Sequence, residues 1–272
     1  ISVANAKLLA ATTSGTVTSA IDTTESVDSL KTLNDAGETH ALTITITSNA
    51  ADTQLSTAAE FNAINSATSV AIDASSVTAL ASSTISNIKT LLTAGNDTNQ
   101  FSANSFSSLA TVAVSDGVNL DVSDLVDSIG QANTATGKST LAAGATVFSI
   151  NAGITINGGN EANFESLLTH ETNGLVSVTD QNLTVDSGSI SVANAILLAA
   201  TTSGTVTSDI DTTERVDTLK TLFDAGETHA LTIVINANDA TGQTAAEYNA
   251  INNATSVAVN AAAVTSVAAS PI

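Results

Sequence analysis

Three histidines, a cluster of four aspartates and one Gly-Lys-Ser-Thr run are the places where this chain could do chemistry. His40 and His229 occupy the same position in two copies of the phrase ETHAL, while His170 sits in an unrelated context. If the strands carrying the ETHAL phrases stack at about 4.8 Å, six coil steps separate His40 from His229 by roughly 29 Å, too far to share a metal ion. They read better as residues of a helix-to-strand turn. Asp116, Asp121, Asp124 and Asp127 fall together in SDGVNLDVSDLVDS. Hard carboxylate oxygens suit Ca²⁺, so these four are the candidate ligands for weak calcium binding. The segment lacks the twelve-residue loop of a helix–loop–helix calcium site, and INGGNEANF at 156–164 offers paired glycines without the glycine-rich calcium nonapeptide. The competing reading is a solvated acidic surface that caps helices. No other cofactor is expected.

Catalytic groupings are missing. There is no Cys and no G-x-S-x-G, and three scattered histidines make no Ser/His/Asp arrangement. A glycosidase needs two carboxylates about 5 to 9.5 Å apart in a cleft, and nothing in the spacing selects a pair from the 26 acidic residues. GKST at 137–140 lacks the first glycine of a phosphate loop because Ala132 stands there, so it reads as a turn. Asn96, Asn182 and Asn253 lie in N-x-S/T sequons, which arise freely in a chain this rich in Asn and Thr. The expectation is a protein that is not an enzyme.

The composition bounds what could hold such residues in place. The 272 residues carry 6 Lys plus Arg against 26 Asp plus Glu, a formal charge of −20. That charge repels nucleic acid and anionic membranes, and screening by salt or divalent cations suits it. Trp, Cys and Met are absent, with one Tyr and six Phe. Small aliphatic side chains fill a narrow core better than a thick one, which favours a core one coil wide. No apolar run reaches the roughly 18 to 20 residues that span a bilayer. Ile1 opens the sequence without a Met or a signal peptide, which predicts a piece of something longer.

A long repeat organises the chain. Residues 1–47 return as 190–236 with seven differences: Lys7/Ile196, Ala20/Asp209, Ser26/Arg215, Ser29/Thr218, Asn34/Phe223, Thr45/Val234 and Thr47/Asn236. After a two-residue deletion, 57–85 returns as 244–272. The expected divisions are therefore repeat copy A (1–85), divergent middle coils (86–189) and a truncated copy B (190–272), with further copies in the parent protein.

Strand-like runs recur at 16–21, 41–47, 68–74, 110–115, 145–151, 175–179, 205–210, 230–236 and 255–261, with extra short strands at 120–122, 154–156 and 183–185. Short helical patterns lie between them. In DTTESVDSLKTLNDAG the Asp22–Glu25 spacing predicts a capping box, with Thr23 or Thr24 as substitutes, a face of Val27, Leu30 and Leu33 or Asn34, and a stop at Gly37. TAAEFNAINSAT repeats the box with Thr57 and Glu60 and buries Phe61 and Ile64. STISNIKTLLTAG and NEANFESLLTHETNG give further helices ending at Gly95 and Gly174. Helices this short must lie on a sheet to persist. The predicted fold is α/β: a right-handed solenoid of parallel strands with short helices on one side. The alternative is compact α/β domains with open parallel sheets. Thr16 and Thr18, then Thr43, Thr45 and Thr47, could align into an outward threonine face like those of ice-binding solenoids.

The phrases VANAKLLAATTSGTVTSAI, SLKTLNDAGETHALTITI and EFNAINSATSVAIDAS resemble the repeats of giant secreted and cell-surface proteins of marine bacteria, cyanobacteria especially, of the haemolysin-type or adhesin-like kind. The resemblance implies an extracellular or cell-surface location and a structural role in a filament, surface layer or adhesin stalk. It supplies no catalytic residue. The implied partners are further copies of the chain or repeats of the same parent, with surface glycans as partners of an alternative glycan- or cell-surface-binding module. Ice binding is a further alternative.

Overall fold

The structure is a computed structural model that describes residues 1–36, 40–47, 55–134, 145–225, 229–236 and 242–269. It is a mixed α/β chain of parallel strands and helices, divided into two compact units. Unit 1 comprises residues 1–116, 124–151 and 173–177; unit 2 comprises 117–123, 152–172 and 178–272.

Unit 1 begins with α1 (Val3–Thr12), where Ser2 caps the first turn by accepting from the Asn5 N–H. Strand β1 (Thr18–Ala20) pairs in parallel with β2 (Ala41–Thr43). Between them lie α2 (Val27–Leu30) and a 3-10 turn, Lys31–Ala36. The predicted apolar face is present, since Val27, Leu30 and Leu33 are all buried. The predicted cap is corrected. Ser26 is the N-cap and accepts from the Ser29 N–H at 3.1 Å, while Asp22 closes its own turn onto Thr24 and Glu25 reaches back to the Val3 N–H of α1. Gly37, the expected stop, lies outside the described residues.

Parallel pairing continues through single bridges: His40 to Thr68, Thr45 to Asp73, Ile72 to Phe101, Ala79 to Thr111 and Ser83 to Val114. The expected strand at 68–74 is therefore reduced to bridges. α3 (Ala58–Ser66) has the predicted capping box, with Thr57 and Glu60 bonding reciprocally, and buries Phe61 and Ile64. α4 (Ile85–Gly95) buries Ile85, Ile88, Leu91 and Leu92. Gly95 closes this helix from inside it: a Cβ there would lie 3.0 Å from the Phe106 ring, so close packing explains the glycine. Strand β3 (Thr111–Val114) pairs with β5 (Val147–Ile150), whose Phe148 bridges to Val176.

Unit 2 contains one open five-stranded parallel sheet in the order β4 (Asn119–Asp121), β6 (Thr155–Asn160), β7 (Asn182–Ile190), β8 (Val206–Ile210) and β9 (Ala230–Thr232). α6 (Glu161–Thr172), α7 (Val192–Thr201), α8 (Val216–Leu219) with its 3-10 turn, and α9 (Ala245–Asn253) fall between or after the strands. α5 (Val122–Thr134) begins at Val122, where the sequence suggested that a strand would continue. Its buried stripe, Val122, Leu125, Val126, Ile129 and Ala132, has helical spacing. Every pairing and bridge among the described residues is parallel, with β3 pairing β5 past β4 and β4 pairing β6 past β5, and none of these sheets closes on itself.

Candidate functional site

The four aspartates are engaged by the fold. In unit 1, Asp116 accepts from the Ile85 N–H at 2.6 Å and so caps α4. Lys89 draws Asp124 and Asp127 together, at 2.6 and 3.0 Å from its Nζ. In unit 2, Asp121 accepts from the Ser123 hydroxyl at 2.7 Å. Asp116 thus caps a helix, Asp124 and Asp127 pair with a lysine and Asp121 holds a hydroxyl, and no group of three or more His, Cys, Asp or Glu side chains among the described residues could hold a metal ion. The paired glycines of INGGN have a backbone cause. Gly158 has φ +79, a Cβ there would meet Asp121 Oδ2, and its N–H donates to Asp186 at 2.7 Å where the β6–β7 register slips. The GKST run lies outside the described residues. The three sequon asparagines have structural settings: Asn96 caps the end of α4, Asn182 accepts from the Thr205 N–H, and exposed Asn253 ends α9. His170 lies in the last turn of α6.

The threonine face is out of register. Thr18 pairs with Ala41 and Ala20 with Thr43, so the threonines of β1 and β2 do not stand opposite one another. Thr68 is buried and turns its hydroxyl between the Leu42 N–H (3.0 Å) and the Leu42 carbonyl (2.7 Å).

What the repeat places at equivalent positions is a set of links between segments well separated along the chain. His40 is buried at the start of β2 and accepts the Val17 N–H on Nδ1 at 3.3 Å. His229 does the same for Val206 at 3.3 Å. An acceptor at Nδ1 puts the ring proton at Nε2. Glu25 accepts from the Val3 N–H at 2.9 Å, and Glu214 from the Val192 N–H at 3.0 Å. Thr255 clasps Leu231 as Thr68 clasps Leu42. Where Thr47 gives way to Asn236 the link survives, because each donates to a carbonyl 24 residues back, Thr23 or Thr212, at 3.0 Å. Comparison with protein families, characterised proteins and solved structures gives no match. The repeated links join segments 22 to 29 residues apart in the same way in both copies.

Removing one such link has a definite expected cost. His40→Ala leaves the Val17 N–H buried without its acceptor and should destabilise the chain by about 1–3 kcal/mol. Urea melts of the variant and the parent measure this, and coincident curves would show that the histidine is dispensable.

The strongest electrostatic link is also repeated. Lys31 bridges Asp28 (2.5 Å) within its own helical segment and Glu60 (2.6 Å) in α3. Lys220 bridges Asp217 (2.8 Å) and Glu247 (2.9 Å) in the same way. These bonds raise the pKa of both lysines. Burial pushes the Glu60 carboxyl up, but Lys31 and the Thr57 N–H outweigh it and the net shift is downward. The Thr244 N–H, Lys220 and the Thr244 hydroxyl pull Glu247 from 4.5 to about 2. A carboxylate lowered in the folded state stabilises fully above its unfolded value, and that stability is lost as pH falls towards the folded value. Glu247→Gln should therefore lower the melting temperature near neutrality, with the gap to the parent narrowing between pH 4.5 and about 2. A pH-independent gap would show that the carboxylate's charge contributes nothing.

Proposed function

We propose that this chain is a structural repeat module of an extracellular filament, surface layer or adhesin stalk, built as a right-handed solenoid with its helices on one side. The observation that carries the reading is the recurrence of the same coil-to-coil links in both copies: His40 with Val17 and His229 with Val206, Lys31 with Glu60 and Lys220 with Glu247. This duplication keeps the residues that stack one coil on the next, as a load-carrying array requires. The all-parallel pairing among the described strands supports the solenoid.

The aromatic side chains favour the stalk over glycan binding. Phe61, Phe101, Phe106, Phe148 and Phe164 are buried, so none of them offers a platform for a sugar ring. Electron microscopy of native material, with and without a chelator, tests the proposal. Filaments or a surface lattice that contain the chain are expected. Finding it only as dispersed particles with no partner would remove the structural role.

A further inference from the structure

Unit 1 carries an open groove of about 500 Å³, a volume within the range of small-molecule sites. Its walls come from α3 and α4, and Gln100 and Asp124 of α5 complete the lining. Among the described lining residues Ala94 alone has an apolar side chain, and none is aromatic. A planar ring therefore has nothing to stack on.

The hydrogen-bonding capacity of this lining is one-sided. The Ser66 hydroxyl donates to the Asn62 carbonyl at 3.0 Å, and the Thr90 hydroxyl to the Ser86 carbonyl at 2.9 Å. Asn65 donates to Gln100 Oε1 at 2.8 Å, and Thr93 to Gln131 Oε1 at 2.9 Å. Each of these side chains spends a proton inside the protein and keeps acceptor lone pairs. Asn62 shows the imbalance best. Its Nδ2 donates to the Asn87 carbonyl at 3.0 Å, while its Oδ1 is shielded from solvent and has no hydrogen-bond partner. A shielded acceptor without a donor is costly, and Asn62 is part of the groove wall.

Charge points the same way. Lys89 is the one cation among the described lining residues, and two carboxylates already hold its Nζ, Asp124 at 2.6 Å and Asp127 at 3.0 Å. One ammonium against two carboxylates leaves the cluster negative, in a chain of formal charge −20. An anion is therefore repelled, and a positively charged ligand rich in N–H donors is favoured. We propose that the groove between α3 and α4 binds a linear aliphatic polyamine. Its N–H groups meet the acceptors of Asn62, Asn65, Ser66 and Thr90, and an ammonium lies against the Asp124 and Asp127 carboxylates. Such binding does not depend on whether the chain builds a filament.

Isothermal titration calorimetry of the full chain with spermidine, at about 0.15 M salt, tests this. One saturable site per chain is expected, whereas attraction to a diffuse negative surface gives no single equivalent. Thr90→Lys on α4 and Ser66→Lys on α3 each bring an ammonium to the groove and should weaken spermidine about tenfold or more. Thr172→Lys, at the end of α6 in unit 2, changes the net charge equally and should leave the affinity within about twofold. All three positions are exposed, so the variants should melt like the parent. Magnesium titrated alone should show no saturable site. Spermidine binding that does not saturate, groove variants that bind like the parent, an equal loss in Thr172→Lys, or a magnesium isotherm matching that of spermidine each overturns the proposal.

Discussion

Gly204→Ala should cost about 3 kcal/mol, at the upper end of what overpacking produces, while Gly15→Ala should change stability by less than about 0.5 kcal/mol. The two glycines occupy the same place in two copies of ATTSGTV. A Cβ on Gly204 would lie 2.3 Å from the Gln181 carbonyl oxygen and 2.7 Å from its carbon. Both are backbone atoms and cannot swing aside. The segment is also held in place, because the Ser203 N–H donates to the Thr179 carbonyl at 2.8 Å and Thr202 bonds to Gln181 itself. At Gly15 the nearest atom to such a Cβ is Thr13 Oγ1 at 3.4 Å, an ordinary contact. Urea unfolding of both variants measures the difference. Equal effects would mean that the Gln181 backbone does not press on Gly204 as the structure describes.

That pair also shows where sequence reasoning stops. Local patterns placed the elements well. The alternating runs at 110–115, 145–151 and 205–210 hold strands, and the Thr57–Glu60 spacing predicted a capping box that α3 has. These signals lie within a few residues of the groups they control. The cap of α2 was misplaced because Glu25 has two possible uses. From sequence it completes a box with Asp22, yet in the fold it serves the Val3 N–H of an earlier helix, leaving the cap to Ser26. α5 is written in the same stretch as the acidic cluster, where the aspartates suggest calcium while Val122, Leu125, Val126, Ile129 and Ala132 carry a helical stripe.

The stacking residues were the harder part. His40 could be placed at a turn, but the group that needs its nitrogen, the Val17 N–H, is 23 residues away. The same holds for Lys31 and Glu60, 29 residues apart. Their pairing depends on how many residues each coil contains, and the spacing of the pairings varies along the chain. Duplication is the signal that could have exposed them. Among the seven differences between the copies, none falls on His40, Lys31 or Glu25, and Thr47/Asn236 exchanges one donor for another.

Phe106→Gly should harm the protein less than Phe106→Ala, the reverse of the usual order for these two residues. Phe106 has φ +58, in the left-handed region that a bulky side chain adopts only at a cost. What holds it there is its ring. It packs edge-on against Phe61 at 5.6 Å and Phe101 at 5.1 Å between centroids, and fits against Gly95. Alanine removes those contacts and keeps the strained backbone, so a loss of about 3–5 kcal/mol is expected. Glycine removes the same contacts but relieves the left-handed strain, which should recover about 1 kcal/mol. Phe101→Ala separates the two contributions, because it empties the same aromatic cluster at a residue outside the positive-φ set. If alanine at 106 proves more stable than glycine, the backbone there is not held in the left-handed region. The aromatic cluster would then be a consequence of the local turn and not its cause.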